Sequence, residues 1–136
     1  MKIKVCGLTD EDNIKEVMGL GPDLIGFIFY PPSPRFVVDK LDPLKLRGLG
    51  DKVIKTGVFV NSDFYEISGL FWKYGLNMVQ LHGDESPVIC EKLKDTGIKI
   101  IKAFSLHEKF DFDSMMDYIP YCEYFLFDTQ TKSHGG

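Results

Sequence analysis

The chain has 136 residues, 44% hydrophobic and 26% charged, which suffices for one globular domain with a sizeable core. Twenty acidic residues against sixteen basic ones give a net charge of −4; this disfavours nucleic acid as the main partner, because phosphate backbones select basic surfaces, but leaves a small phosphorylated ligand open. No run approaches the roughly 20 apolar residues of a membrane span, and the opening "MKIKVCGLTD" has no apolar signal-peptide core.

Apolar, β-branched or aromatic runs recur at 3–7 (IKVCG), 23–30 (DLIGFIFY), 53–60 (VIKTGVFV), 77–83 (NMVQLHG), 98–104 (IKIIKAF) and 124–128 (YFLFD). Several are nearly continuous, the pattern of strands covered on both faces. Helix-like segments lie between them. Thr9 is placed to cap the first, with Asp12 at the third position and Ile14, Val17 and Met18 as its apolar stripe. The segment 39–47 is the weakest, because Pro43 interrupts it. Residues 63–74 set Phe64, Ile67, Leu70, Phe71 and Tyr74 on one face, with Gly75 as a stop. Ser86 as cap, Pro87 at the first position and Gly97 beyond the end frame a fourth helix. "DFDSMMDYIP" is a shorter candidate closed by Pro120.

The order βαβαβαβαβαβ implies one α/β domain over 1–136, with a parallel sheet and right-handed crossovers. Five βα units and a sixth strand are present. An eight-fold barrel takes roughly 200 residues or more, so the pattern fits either an open doubly wound sheet or a barrel cut short, and periodicity does not choose. In both architectures chemistry gathers beyond the C-terminal ends of the strands. Those ends deliver Cys6 and Gly7, then Tyr30 and the stiff loop "PPSPR" ending in Arg35, then Asn61, Gln80 and His82, Lys102, and Asp128. Each has an ordinary alternative. A strand cysteine is often a small core residue, Arg35 a solvated charge, Asn61 a turn residue or cap, His82 a loop residue, and Lys102 the partner of a nearby carboxylate. Asp128 stands out because a carboxylate ending an apolar strand needs a reason. Cysteines 6, 90 and 122 fit no zinc spacing, and His82, His107 and His134 are scattered. Reduced thiols and a cytoplasmic location are the expectation.

Together, "KVCGLTDEDN", "GFIFYPPSPRFV", "GVFVN", "VQLHGDE", "IKAF" and "FLFDTQTKSHGG" occur in that order. In this combination the chain resembles the phosphoribosylanthranilate isomerase family of tryptophan biosynthesis. The resemblance implies a (βα)8 TIM barrel without cofactor or metal, acting on a small phosphorylated substrate, with no nucleic acid and no membrane as partner. It implies an Amadori rearrangement of N-(5-phosphoribosyl)anthranilate to the aminoketose. Cys6 would be the general base and Asp128 the general acid. Arg35 would hold the anthranilate carboxylate, with Lys4, Asn61, Gln80 and His82 in supporting substrate-binding roles. Asp128 must then hold a proton near neutral pH, which desolvation by its apolar strand favours, while Cys6 must shed one. Lys4 shares strand parity with Cys6, and Gln80 with His82, so each pair is expected on one face.

By the same resemblance, Gly135 and Gly136 open a loop over the site. Two further βα units carry the phosphate site, and 1–136 alone is expected to be inactive. The competing readings are another barrel enzyme acting on a ribose phosphate, a non-catalytic doubly wound binding module, and a domain detached from a fused pathway enzyme. The spatial expectation is definite: Cys6 on the first strand and Asp128 on the last share a pocket.

Overall fold

In the computed structural model, which describes residues 1–129, the six apolar runs form one parallel sheet. The strands are β1 (Lys4–Val5), β2 (Leu24–Ile28), β3 (Ile54–Phe59), β4 (Met78–Leu81), β5 (Lys99–Leu106) and β6 (Tyr124–Thr129). They lie side by side in chain order, β1 to β6. A doubly wound sheet needs a point where strand order reverses, and none occurs among the described residues. The doubly wound alternative is therefore corrected. The loop and glycine pair at 130–136 lie outside the described residues.

Four crossovers carry α-helices: α1 (Glu11–Gly19), α2 (Pro43–Arg47), α3 (Phe64–Tyr74) and α4 (Pro87–Asp95). The fifth carries a 3₁₀ helix at Phe112–Tyr118, so the expected fifth α-helix is a tighter and shorter turn. Two local expectations also shift. Asp10, not Thr9, caps α1, its carboxylate accepting from the Asn13 N–H. Pro43 does not interrupt α2 but starts it. A proline at the first helical position loses no hydrogen bond, and Asp42 accepts from the Leu44 N–H beside it. Ser86 precedes α4 without a side-chain cap bond, whereas Pro87 sits where expected. Gly75 ends α3 in the left-handed region at φ 64°, a conformation that glycine adopts without penalty.

The sheet is covered on one face by the helices. Ile14, Leu46, Ile67, Phe71, Cys90 and Leu93 pack on Ile25, Phe27, Phe59, Val79 and Ile100 in one core. Phe29 stacks on Phe59 with centroids 5.2 Å apart and meets Tyr74 edge-on at 5.0 Å. The other face begins with a smaller apolar floor of Leu24, Met78 and Ile101, joined by Ile54 and Leu126. Paired residues in a sheet project to the same side and next-but-one residues share a face, so the register traces this inner face from edge to edge. Leu24 pairs with Ile54, Thr56 with Met78 and Val58 with Gln80. Gln80 pairs with Ile101, and Ser105 with Asp128. Above the apolar floor, the inner face turns polar.

Candidate active site

Asp128 reaches that inner face from β6, and Cys6 reaches it from just beyond β1. The residue opposite Cys6 is Gly26. A Cβ placed on Gly26 would sit 2.7 Å from Cys6 Sγ and 3.1 Å from Lys4 Cε. The missing side chain is what leaves room for both groups. Lys4 crosses the interior and donates from Nζ to Gln80 Oε1 on β4. Burial pushes the Lys4 ammonium below its ordinary pKa, against which the Cys6 side chain pulls upward. The shared parity expected for Lys4 with Cys6 and for Gln80 with His82 is therefore present, and the two pairs are joined.

Arg35 arrives by a different route. After β2 the chain turns at 30–36, with Ser33 N–H donating to Tyr30 O and Arg35 N–H to Ser33 Oγ. A parallel bridge between Ile28 and Phe36 returns the chain to the sheet. The turn lays the Arg35 side chain directly over Gly7, where any Cβ would collide with the guanidinium. Gly7 has φ 83°, so both its conformation and its lack of a side chain are required there.

Arg35, Asn61, His82 and Asp128 line one cavity of about 630 Å³ at the C-terminal ends of the strands, with Ser105, Lys102 and Phe104 among its other walls. Cys6, Lys4 and Gln80 are not in its lining. They form the adjoining cluster on the same face, joined to the cavity where Arg35 covers Gly7. His82 Nε2 lies 3.5 Å from Asp128 Oδ2. Burial pushes the His82 pKa down, Asp128 draws it up, Lys102 and Lys4 lower it, and Glu85 raises it. With the net shift downward from 6.5, the imidazole is neutral at pH 7.

Two expectations are corrected by this geometry. Asp128 is not sealed by its apolar strand. Phe125 and Phe127 face the other way, around Phe104, and the Asp128 side chain remains 39% exposed beside the imidazole. Lys102, read at the strand end as a mouth residue, does line the cavity, but it arrives from the face opposite Asp128 and its charge is taken up by Glu85. Its Nζ lies 3.3 Å from Glu85 Oε1 and donates to Gly83 O at 2.8 Å. The pairing with a neighbouring carboxylate is thus what the structure has. Asn61 holds φ 54° and spends its Oδ1 on the Asp84 N–H at 2.7 Å. That oxygen serves the loop, while the residue as a whole lines the cavity. Glu85 is the participant that sequence reasoning missed. Its side chain is fully buried, yet in the sequence it is one acid among polar loop residues.

A parallel sheet wound in chain order, with polar groups gathered beyond its strand ends, defines a barrel-type α/β enzyme of which six strands are described. The family model described as "N-(5'phosphoribosyl)anthranilate (PRA) isomerase" matches residues 3–136. The chain belongs to that family. It is 43% identical over 118 residues to the N-(5'-phosphoribosyl)anthranilate isomerase of Desulfatibacillum aliphaticivorans, covering 87% of this chain and 54% of that one. It is 40% identical over 136 residues to that of Phocaeicola vulgatus, covering 100% and 64%. The crystal structure of phosphoribosyl anthranilate isomerase from Thermotoga maritima superposes with a TM-score of 0.81 at 33% identity, over 100% of this chain and 65% of that one. A further crystal structure, of the isomerase in complex with reduced 1-(o-carboxyphenylamino)-1-deoxyribulose 5-phosphate, gives 0.76 at 31% identity over 96% of this chain and 66% of that one. The chain therefore spans between 54% and 64% of the length of the two curated relatives. Among the described residues no helix is long and apolar enough to cross a membrane.

Proposed function

We propose that the protein containing this chain isomerises N-(5-phosphoribosyl)anthranilate to 1-(2-carboxyphenylamino)-1-deoxyribulose 5-phosphate, a step of tryptophan biosynthesis, in the cytoplasm. The observation that supports this reading is the inner face on which Cys6 lies against Gly26 of β2 and Asp128 stands opposite Ser105 of β5, with Arg35 over Gly7 and lining the cavity that holds Asp128. Asp128 gives its proton to the ribose ring oxygen as the C1–O bond breaks. The aniline nitrogen lone pair forms the C1=N bond, which makes the proton at C2 acidic. Cys6 takes that proton, and the electron pair moves through C2=C1 onto nitrogen. The enol amine so formed tautomerises to the 2-ketone. No atom is added or lost and no redox partner is needed. The two groups act in opposite directions at one pH, which is how acid and base work are combined in one site.

Arg35 suits the anthranilate carboxylate, because a guanidinium fork binds a planar carboxylate through two parallel hydrogen bonds. Lys4, Gln80, His82 and Asn61 line or support the sugar side. Free Cys6, Cys90 and Cys122 are compatible with the reducing cytoplasm. Arg35→Ala should raise KM about 10-fold or more with a smaller change in kcat, since a ground-state anchor is lost; steady-state kinetics by anthranilate fluorescence measures both. An unchanged KM removes Arg35 from the substrate.

The same fluorescence assay tests the function itself. The full-length protein should consume the aminoaldose, whereas residues 1–136 alone should not. In barrels of this type the phosphate is held beyond strands 7 and 8, and six strands do not supply those loops. Robust turnover by 1–136 would overturn the second statement, and an inert full-length protein the first.

A further inference from the structure

Two of the cavity's polar groups, Asn61 and His82, are presented by loops just beyond β3 and β4, and those loops converge on one acid. Glu85 Oε1 accepts from the Gly83 N–H at 2.8 Å and lies 3.3 Å from Lys102 Nζ. Its Oε2 accepts from the Gly83 N–H and the Asn61 N–H, each at 3.0 Å. Lys102 completes its own shell with the Gly83, Ala103 and Leu81 carbonyls at 2.8, 3.1 and 3.4 Å. Tyr118 of the 3₁₀ helix donates to the Glu85 backbone carbonyl at 2.7 Å. The buried carboxylate therefore ties the loops after β3 and β4 to Lys102 of β5, while the backbone carbonyl of the same residue holds the 3₁₀ helix through Tyr118. The two cavity residues it governs are Asn61, whose own N–H it accepts, and His82, which it fixes through the next residue in the chain. A Cβ on Gly83 would strike the Asn61 side chain, so the two loops are packed without slack.

We propose that Glu85, charge-balanced by Lys102, is a positioning residue of the isomerase site: it holds Asn61 and His82 in register with Asp128 and sets the field in which His82 sits. The inference rests on the isomerase reading for its kinetic part, while its electrostatic part stands on this chain alone. A tether with purely mechanical value would work equally well with any group of the same shape. A carboxylate beside a lysine also acts on the imidazole. The charged groups facing His82 are Asp128 from β6, Lys102 from β5, Lys4 from β1 and Glu85 from its own loop. Removing the Glu85 charge deletes one anion and leaves Lys102 uncompensated. That single loss of negative charge disfavours the imidazolium, so the His82 midpoint should fall.

The test compares Glu85→Gln, Glu85→Asp, Lys102→Met and the double variant Glu85→Gln/Lys102→Met in the full-length protein. Three measurements are made: thermal unfolding, the His82 imidazole titration by NMR, and kcat and KM for the aminoaldose. Glu85→Gln should lower kcat/KM at least 10-fold and move the His82 midpoint to lower pH. The double variant should return the midpoint toward the parent value, because the unbalanced cation is gone. Glu85→Asp should keep the midpoint and lose part of kcat through its shorter reach. Should Glu85→Gln fail to fold, Lys102→Met and the double variant decide: Lys102→Met alone should raise the His82 midpoint and the added Glu85→Gln should lower it again; if the added substitution leaves the midpoint unmoved, the electrostatic role fails. A lower unfolding temperature with kcat/KM within twofold and an unmoved His82 midpoint would reduce Glu85 to scaffolding. A moved midpoint in a protein whose parent lacks isomerase activity would instead remove the functional reading and leave the electrostatic coupling standing.

Discussion

Replacing Asp128 by asparagine should lower kcat by about 10²–10⁴, the loss expected when a positioned general acid is removed. The argument is chemical rather than steric. Asparagine has the same shape, and the native side chain is 39% exposed, so the fold should be retained. What disappears is the ability to hand a proton to the ring oxygen and take it back. His82, 3.5 Å away, cannot substitute. Its pKa already lies below 6.5 because of burial, and Asp128 is the leading influence that opposes the drop. Without that carboxylate the imidazole binds a proton even less readily, so His82 is a weaker acid reserve in the variant at pH 7. NMR titration should show its midpoint moving to lower pH alongside the kinetic loss. Near-parental kcat with intact substrate binding would end the role assigned to Asp128.

Cys6→Ser is the second large effect, again about 10²–10⁴ in kcat. The hydroxyl fits wherever the thiol does beside Gly26, but an alcohol gives up its proton far less readily than a thiol. Deprotonation at the sugar C2 should become the slow step. A substrate carrying deuterium at C2 should then show a larger isotope effect on kcat in Cys6→Ser than in the parent, while KM changes little. A variant that keeps its rate, or shows no isotope effect at all, would place the base elsewhere.

The expectation that these two residues share one pocket is met only by Asp128, since Cys6 is outside the cavity lining. Their strand-end positions were readable from the sequence because both sit at the ends of apolar runs. All six strands were legible for the same reason. The covered strands β2 to β5 read as nearly continuous apolar segments, β1 and β6 are apolar runs at the less covered edges, and each strand appears within a few residues of its run. Local choices between adjacent candidates were harder. Thr9 and Asp10 are both good cap residues, and only the chain's path selects the aspartate. Pro43 can break a helix or begin one, and the Asp42 cap decides it.

The Glu85–Lys102 pair was not legible beyond a generic partner for Lys102. Loop acids are normally solvated, and nothing in "HGDES" distinguishes Glu85 from Asp84 beside it. Burial of the pair depends on the 3₁₀ helix folding over it, a long-range event without a periodic signature. Lys102 likewise has the wrong parity for the inner face, yet it lines the cavity while its ammonium donates to the Leu81 and Gly83 carbonyls.

The strand order has a consequence for how the molecule is made. Among the described residues each strand after β1 pairs with the one synthesised just before it, so these six strands can be laid down in order, and the outer edge of β1 is left for a later partner. Every new βα unit docks onto an edge that already exists, with short closures at each step. Assembly can therefore run from the N-terminus at the pace of the ribosome. Of the two side chains proposed for the acid and base roles, the sulfur takes its place beside Gly26 as soon as the second strand is laid down, and the carboxyl arrives four strands later.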